Sequence, residues 1–162
     1  MPDAKGESGP FLAGVILAAG ASTRMGQPKQ LLAYRGRPLL QRVVDAALAS
    51  SLDEVVVVLG HRAEEVRAAL ELPPDDRIRL VVNPDYAAGQ STSLRCGLRS
   101  ASSSATGAAV LLGDQPHVSA ALIDRIAQAF RSADRPIVRP VYPVIRSFWR
   151  DGSGRRSSGC AA

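Results

Sequence analysis

Between Leu17 and Lys29 the chain runs Leu17-Ala18-Ala19-Gly20-Ala21-Ser22-Thr23-Arg24-Met25-Gly26-Gln27-Pro28-Lys29. Small residues at Ala18, Ala19, Gly20 and Ala21 let backbone N–H groups approach a ligand closely. Arg24 adds a planar fork of donors and Lys29 a point charge. A cation about 4 Å from a phosphate oxygen contributes roughly 4 kcal/mol at an effective dielectric near 20. Two such cations on a loop of close-packed N–H groups suit a nucleoside triphosphate. The loop is not a Walker A motif, which needs Gly-Lys-Ser/Thr opening a helix, and it lacks the Gly-x-Gly-x-x-Gly of dinucleotide binding. Taken alone, Arg24 or Lys29 could equally be a solvated surface cation.

Asp114 is the second group with chemical potential. It follows an apolar run and Gly113, and a carboxylate there can hold Mg²⁺, which keeps several waters and bridges phosphates. The other reading is an aspartate that caps a turn before Pro116. His61 and His117 have no serine or cysteine nucleophile motif beside them and read as rim residues. Cys96 falls inside a helical stretch and reads as packed. Tyr86 is a candidate for the pocket wall.

These groups need a scaffold, and the chain supplies strands and helices in alternation. Gly14–Ala19 and Glu54–Leu59 are continuous apolar runs, as expected of strands buried on both faces. Ile78–Val82 and Ala108–Leu112 are further strands, and Pro136–Arg139 is a candidate fifth. Helices are expected from Pro38 to about Ser50, over Ala63–Leu70, over Ser91–Ser100, and from Ser119, as cap, to about Arg131. Such alternation predicts an α/β fold with a mainly parallel sheet and helices on both faces. Ligands of these sheets bind beyond the carboxyl ends of the strands. That rule places Gly20–Lys29, Gly60, Asn83–Ser93 and Gly113–His117 on one rim.

The 162 residues suffice for one domain. The net charge of +5 invites a nucleic-acid reading. However, residues 1–138 hold 15 basic and 14 acidic side chains, whereas residues 139–162 hold five arginines and one aspartate. The body is therefore almost neutral. With aromatics at 4%, stacking platforms for bases are not expected, so no nucleic-acid partner is expected. The two cysteines, Cys96 and Cys160, lack metal-ligand spacing. No apolar run reaches membrane-spanning length, and residues 1–13 read as a disordered lead-in without a signal pattern. A cytoplasmic protein with no membrane partner is the expectation.

The string Leu-Ala-Ala-Gly-x-Ser-x-Arg-Met-Gly-x-x-Lys resembles the signature loop of the MobA-like nucleotidyltransferases, and more narrowly that of the molybdenum cofactor cytidylyltransferases. The resemblance continues through Leu31-Leu32, Gly36-x-Pro38-Leu39-Leu40, Val55–Gly60 and Asn83-Pro84. It extends to Gly89-x-x-x-Ser93-Leu94-x-x-Gly97-Leu98 and Leu112-Gly113-Asp114-Gln115-Pro116, and spans about residues 14–140. It implies a Rossmann-like three-layer α/β/α domain of the nucleotide-diphospho-sugar transferase type, over residues 14–142. It also implies transfer of a nucleoside monophosphate to a phosphorylated acceptor of the molybdopterin type. In this family Ala19 goes with CTP rather than GTP. By the same resemblance the nucleotide sits on Leu17, Ala18, Ala19, Gly20, Arg24, Lys29, Asn83, Gly89, Gln90 and Ser93. Arg24 and Lys29 are catalytic, and Asp114 holds Mg²⁺. Gly89–Ser93 also reads as a helix start with Ser91 or Thr92 as cap, and Asn83-Pro84 as a turn.

The resemblance stops at Tyr142, where the family continues with a Gly-His-Pro segment. Reading Pro143–Arg150 back into codons and taking each third base with the next two permits Gly-His-Pro-Val-Leu-Leu-Ala. A frameshift near codon 143 is therefore expected, with residues 143–162 an aberrant, disordered basic tail. A chain without the acceptor half would expose a strand edge. It could also be a nucleotide-binding protein without turnover. A sugar or alcohol phosphate remains an alternative acceptor. A dinucleotide-dependent oxidoreductase would need the glycine fingerprint that is absent.

Overall fold

A computed structural model describes residues 9–21, 27–133, 137, 138 and 140. Strand β1 (Leu12–Ala18) is followed by a 3-10 turn at Lys29–Leu31 and a small hairpin, β2 (Ala33–Tyr34) and β3 (Arg37–Pro38). Then come α1 (Leu39–Leu48), β4 (Glu54–Leu59), α2 (Ala63–Ala68) and β5 (Ile78–Val82). A second 3-10 turn at Tyr86–Ala88 precedes α3 (Gln90–Ser100), β6 (Gly107–Leu112) and α4 (Ala120–Ser132). The main sheet has the order β5-β4-β1-β6, and all three pairings are parallel. This is the α/β architecture that the alternation predicted.

Register explains the shape of the core. Val15 of β1 lies between Val56 of β4 and Val110 of β6, and Ile16 between Val57 and Leu111. Side chains alternate across a strand, so the two rows face opposite sides of the sheet. Ile16, Val57 and Leu111 join Leu40, Val43 and Val44 of α1, Val66 of α2 and Ile123 of α4 in the larger core. Val15, Val56 and Val58 form a smaller core under α3, with Cys96 packed against it. Helices thus cover both faces, which gives the three layers. α3 approaches closely because Gly97 has no side chain: a Cβ there would stand 2.4 Å from Val15 Cγ1 and 2.9 Å from Val58 Cγ2.

Several boundaries differ from expectation. β1 starts at Leu12, inside the stretch read as lead-in, because Leu12 N–H donates to Asp53 Oδ2 at 2.7 Å and Leu12 pairs with Gly107. Pro38 precedes α1 rather than lying in it, since its place in the hairpin gives it an extended backbone. Neither Ser91 nor Thr92 caps α3. Gly89 holds that position at a φ of 114°, and the Thr92 hydroxyl donates to the Gly89 and Asp85 carbonyls instead. Ser119 does cap α4, its Oγ accepting from Leu122 N–H at 3.2 Å. The candidate strand Pro136–Arg139 falls largely outside the described residues, and Ile137 and Val138 belong to no strand. The tail from residue 143 also lies outside them. Among the described residues no helix is long and apolar enough to cross a membrane.

Candidate functional site

At the carboxyl ends of β1, β5 and β6 the chain surrounds a cavity of about 420 Å³. Its wall is formed by Leu17, Ala19, Gly20, Lys29, Gln30, Tyr86, Gly89, Gln90, Ser93, Leu112 and Asp114. Four separate segments therefore meet at the rim that the strand–helix alternation indicated. Nine of the expected residues line it: Leu17, Ala19, Gly20, Lys29, Tyr86, Gly89, Gln90, Ser93 and Asp114. The cavity is large enough for a small-molecule ligand and falls where open α/β sheets bind theirs.

Of the other expected residues, one lies outside the described residues and two stand elsewhere. Arg24 lies outside the described residues, as do Ser22, Thr23, Met25 and Gly26. Ala18 is 3% exposed and sits behind the wall, the last residue of the buried strand. Asn83 is also 3% exposed and faces protein. Its Nδ2 donates to Thr92 Oγ1 at 2.9 Å and Ser93 Oγ at 3.0 Å, and its Oδ1 accepts from Asp85 N–H at 3.0 Å. Every arm of that amide is occupied, so Asn83 ties the end of β5 to the start of α3 rather than forming part of the wall.

The start of α3 opens on the cavity through Gly89, Gln90 and Ser93. The partial positive charge of a helix N-terminus favours an anion there. Lys29 reaches the cavity from its 3-10 turn, and Asp114 from the loop after β6. That loop is set by Gln115 N–H donating to Leu112 O and Gly113 N–H donating to Leu17 O. Ala19 O accepts from His61 N–H at 3.3 Å, and the His61 ring lies 5.9 Å from that of Tyr86. His117 packs edge-on against Tyr34 at 5.3 Å. Both histidines are rim residues, as the sequence suggested.

Two wall residues escaped the sequence reading. Leu112 is the last residue of β6, and only its position marks it. Gln30 follows Lys29 directly and is 5% exposed. Its Nε2 donates to Ala18 O at 2.7 Å and to Gly20 O at 3.2 Å. Apart from its place beside the motif lysine, nothing in the sequence marks it.

Among the described residues no group of three acidic, histidine or cysteine side chains could hold a metal ion. Asp114 is a single exposed carboxylate on the wall. Such a donor fits Mg²⁺ or Mn²⁺ arriving with a polyphosphate, whose oxygens and waters complete the shell. It does not fit a metal held by protein ligands alone.

The model of the MobA-like NTP transferase domain matches residues 14–149. The chain belongs to this family. The match covers the cavity-forming segments and runs past Tyr142. Among curated proteins the chain is 36% identical over 148 residues to nicotine blue oxidoreductase of Paenarthrobacter nicotinovorans, covering 84% of this chain and 71% of that protein. Among solved structures it resembles Rv0371c of Mycobacterium tuberculosis H37Rv, at 40% identity and a TM-score of 0.66, covering 76% of this chain and 62% of that one. A manganese complex of Rv0371c matches at 38% identity and a TM-score of 0.61, covering 75% and 60% of the two chains. The chain thus spans about three-fifths of the length of these mycobacterial structures. MobA-like domains are nucleotidyltransferases with the α/β fold found here.

Proposed function

We propose that the chain binds a nucleoside triphosphate, CTP in preference to GTP, and transfers its nucleoside monophosphate to a phosphorylated acceptor of the molybdopterin type. One observation carries this reading: the Leu17–Gly20 loop, Lys29, the start of α3 and Asp114 converge on a single cavity. An acceptor phosphate oxygen attacks the α-phosphorus, the bond from that phosphorus to the bridging oxygen breaks, and pyrophosphate leaves with the electron pair. A deprotonated phosphate needs no base, so positioning and charge neutralisation suffice. Lys29 and Arg24 neutralise the phosphates, and the loop N–H groups hold them. Gln90 and Ser93 stand where a base or ribose would be read. Mg²⁺, held by Asp114 together with the triphosphate, would polarise and orient it. The manganese complex of Rv0371c makes Mn²⁺ the alternative ion.

The acceptor is the less constrained half of the proposal, because the chain covers only part of its longer relatives. The relative named nicotine blue oxidoreductase favours a second reading, in which this scaffold serves redox chemistry. Both readings are tested by following thermal unfolding with CTP, GTP, ATP or a nicotinamide dinucleotide, each with and without Mg²⁺ or Mn²⁺. A ligand bound only by the native state raises the melting temperature. The proposal expects a metal-dependent rise, largest for CTP and lost in Lys29→Ala. A rise with the nicotinamide dinucleotide alone would replace it with the redox reading.

A further inference from the structure

Gln30 is the buried wall residue whose hydrogen bonds are incompletely made. Its Nε2 is shared between two carbonyls of the loop after β1, Ala18 O at 2.7 Å and Gly20 O at 3.2 Å. This settles which end of the amide is which, because only the nitrogen can donate to carbonyls. Its Oε1 is buried and has no hydrogen-bond partner among the described residues. A buried acceptor left unpaired loses its hydration with no hydrogen bond in return, so a side chain serving only to fill this space would be better as an apolar residue of similar shape. The position therefore retains a polar group at a cost, and it does so in the wall of the cavity.

The gain lies in the loop. A trans peptide is planar, and its C=O and N–H point in opposite directions. Fixing Ala18 O fixes the plane that carries Ala19 N–H, and fixing Gly20 O fixes the plane that carries Ala21 N–H. One side-chain amide thus sets two peptide planes of the loop through which a polyphosphate would be held. Ala19 O is fixed independently by His61 N–H at 3.3 Å, which sets the plane between them. Three consecutive peptide planes are therefore held before any ligand arrives, two of them by Gln30. Preorganised donors of this kind lose little entropy when an anion binds.

We infer that Gln30 is a positioning residue for the polyphosphate, acting through the peptide planes of Ala18–Ala21 rather than by contact with the reacting atoms. This rests on the proposed triphosphate site. Gln30→Met keeps the length of the side chain and removes the donor. Gln30→Glu keeps its shape and sets a group that cannot donate, when ionised, against two carbonyls. Calorimetric titration of the whole chain with CTP and with CMP, in Mg²⁺, separates a phosphate effect from general damage. In Gln30→Met, CTP affinity is expected to fall about tenfold, the change that roughly one lost hydrogen bond's worth of order produces. CMP affinity should stay within about twofold, because a single phosphate uses fewer of the fixed N–H groups. Gln30→Glu should lose at least as much for CTP, and Gln30→His, which can still donate, should recover part of it.

Equal losses for CTP and CMP would overturn the inference, as would unchanged CTP binding in both Gln30→Met and Gln30→Glu. If Gln30→Met fails to fold, the same comparison in Gln30→Glu decides. If the unmodified chain binds no triphosphate, the proposed function fails and this inference falls with it. If the unmodified chain binds and the variants bind equally well, only the role of Gln30 falls.

Discussion

β4 and β6 flank the same central strand, yet they meet very different surroundings. All six residues of β4, Glu54–Leu59, are buried. Along β6 burial alternates, and Val110 is 47% exposed. Their register partners make the contrast sharp: Val56 and Val110 both pair with Val15, and Val56 is fully buried. β4 is interior, with β5 beyond it and helices on both faces. β6 is the last strand of the described sheet, covered by α4 on the side of the larger core and left partly open on the side of α3. Leu98 of α3 is likewise 47% exposed. The cavity draws residues from both sides of β1, so a rigid half and an open half share one site.

The strongest way to break this comparison is in the rigid half. Ile16 is fully buried between Val57 and Leu111. Ile16→Ala should cost about 2–5 kcal/mol, through lost burial and the void left behind. Urea unfolding followed by circular dichroism should show the midpoint fall with little change in slope. A cost below about 1 kcal/mol would mean that this half is not the packed one.

Next in size is Gly97→Ala, on the helix that joins the two halves. A methyl group 2.4 Å from Val15 Cγ1 forces α3 to move off the sheet. Overpacking of this kind costs about 1–3 kcal/mol, although alanine itself favours helix. Because the start of α3 lines the cavity through Gly89, Gln90 and Ser93, the same change should weaken CTP binding. Stability measured by urea and affinity measured by calorimetry should fall together. Full stability with weakened binding would instead place the strain at the helix start alone.

These contrasts also show which features were legible in the sequence. The unbroken valine run of β4 declares an interior strand, and its bounds were readable to the residue. β6 has a similar apolar look in Gly107–Leu112, but an edge position depends on strand order, which no single segment encodes. The hairpin at Ala33–Pro38 was not anticipated, because two-residue strands leave no periodicity. It turns on Arg35 and Gly36, at φ 51° and 79°, and arginine is an unusual residue for a left-handed position. Within the site, Lys29, Asp114 and Gly89–Ser93 were legible because their types suit phosphate, metal and close approach. Gln30 was not, because its value lies in two backbone carbonyls that only the fold brings to it. Asn83 was legible as a conspicuous residue, but its exhausted hydrogen bonds appear only in three dimensions.

The open half should tolerate what the rigid half does not. Val110→Lys places a charge on an already exposed side chain and should change stability by about 0.5 kcal/mol or less. A lysine beside a strand edge also discourages pairing with another chain. Light scattering of the unmodified chain and of this variant should show less association in the variant. A loss of stability comparable to that of Ile16→Ala would mean that this face is covered by more of the chain than the described residues show.

The smallest effect concerns a contact at the base of the rigid half, away from the cavity. Arg77 donates from its Nη2 to Leu48 O at 2.9 Å and from its Nη1 to Leu52 O at 3.2 Å, holding the end of α1 and the approach to β4. The same guanidinium pairs with Asp75 at 2.8 Å. Hydrogen bonds from the Arg77 side chain, then from its backbone N–H, hold the Asp75 carboxyl below its ordinary value of 3.8. A carboxylate whose value is lowered by folding contributes stability above its unfolded value, and loses it as the pH falls through the folded one. Stability should therefore decline below about pH 4, and Asp75→Asn should flatten part of that decline. The pair is only partly buried, so the effect should shrink as salt is raised. Urea midpoints measured down the acid limb at low and high salt check both statements. An acid limb identical in Asp75→Asn and the unmodified chain would mean that Arg77 holds α1 and β4 through the two carbonyls alone.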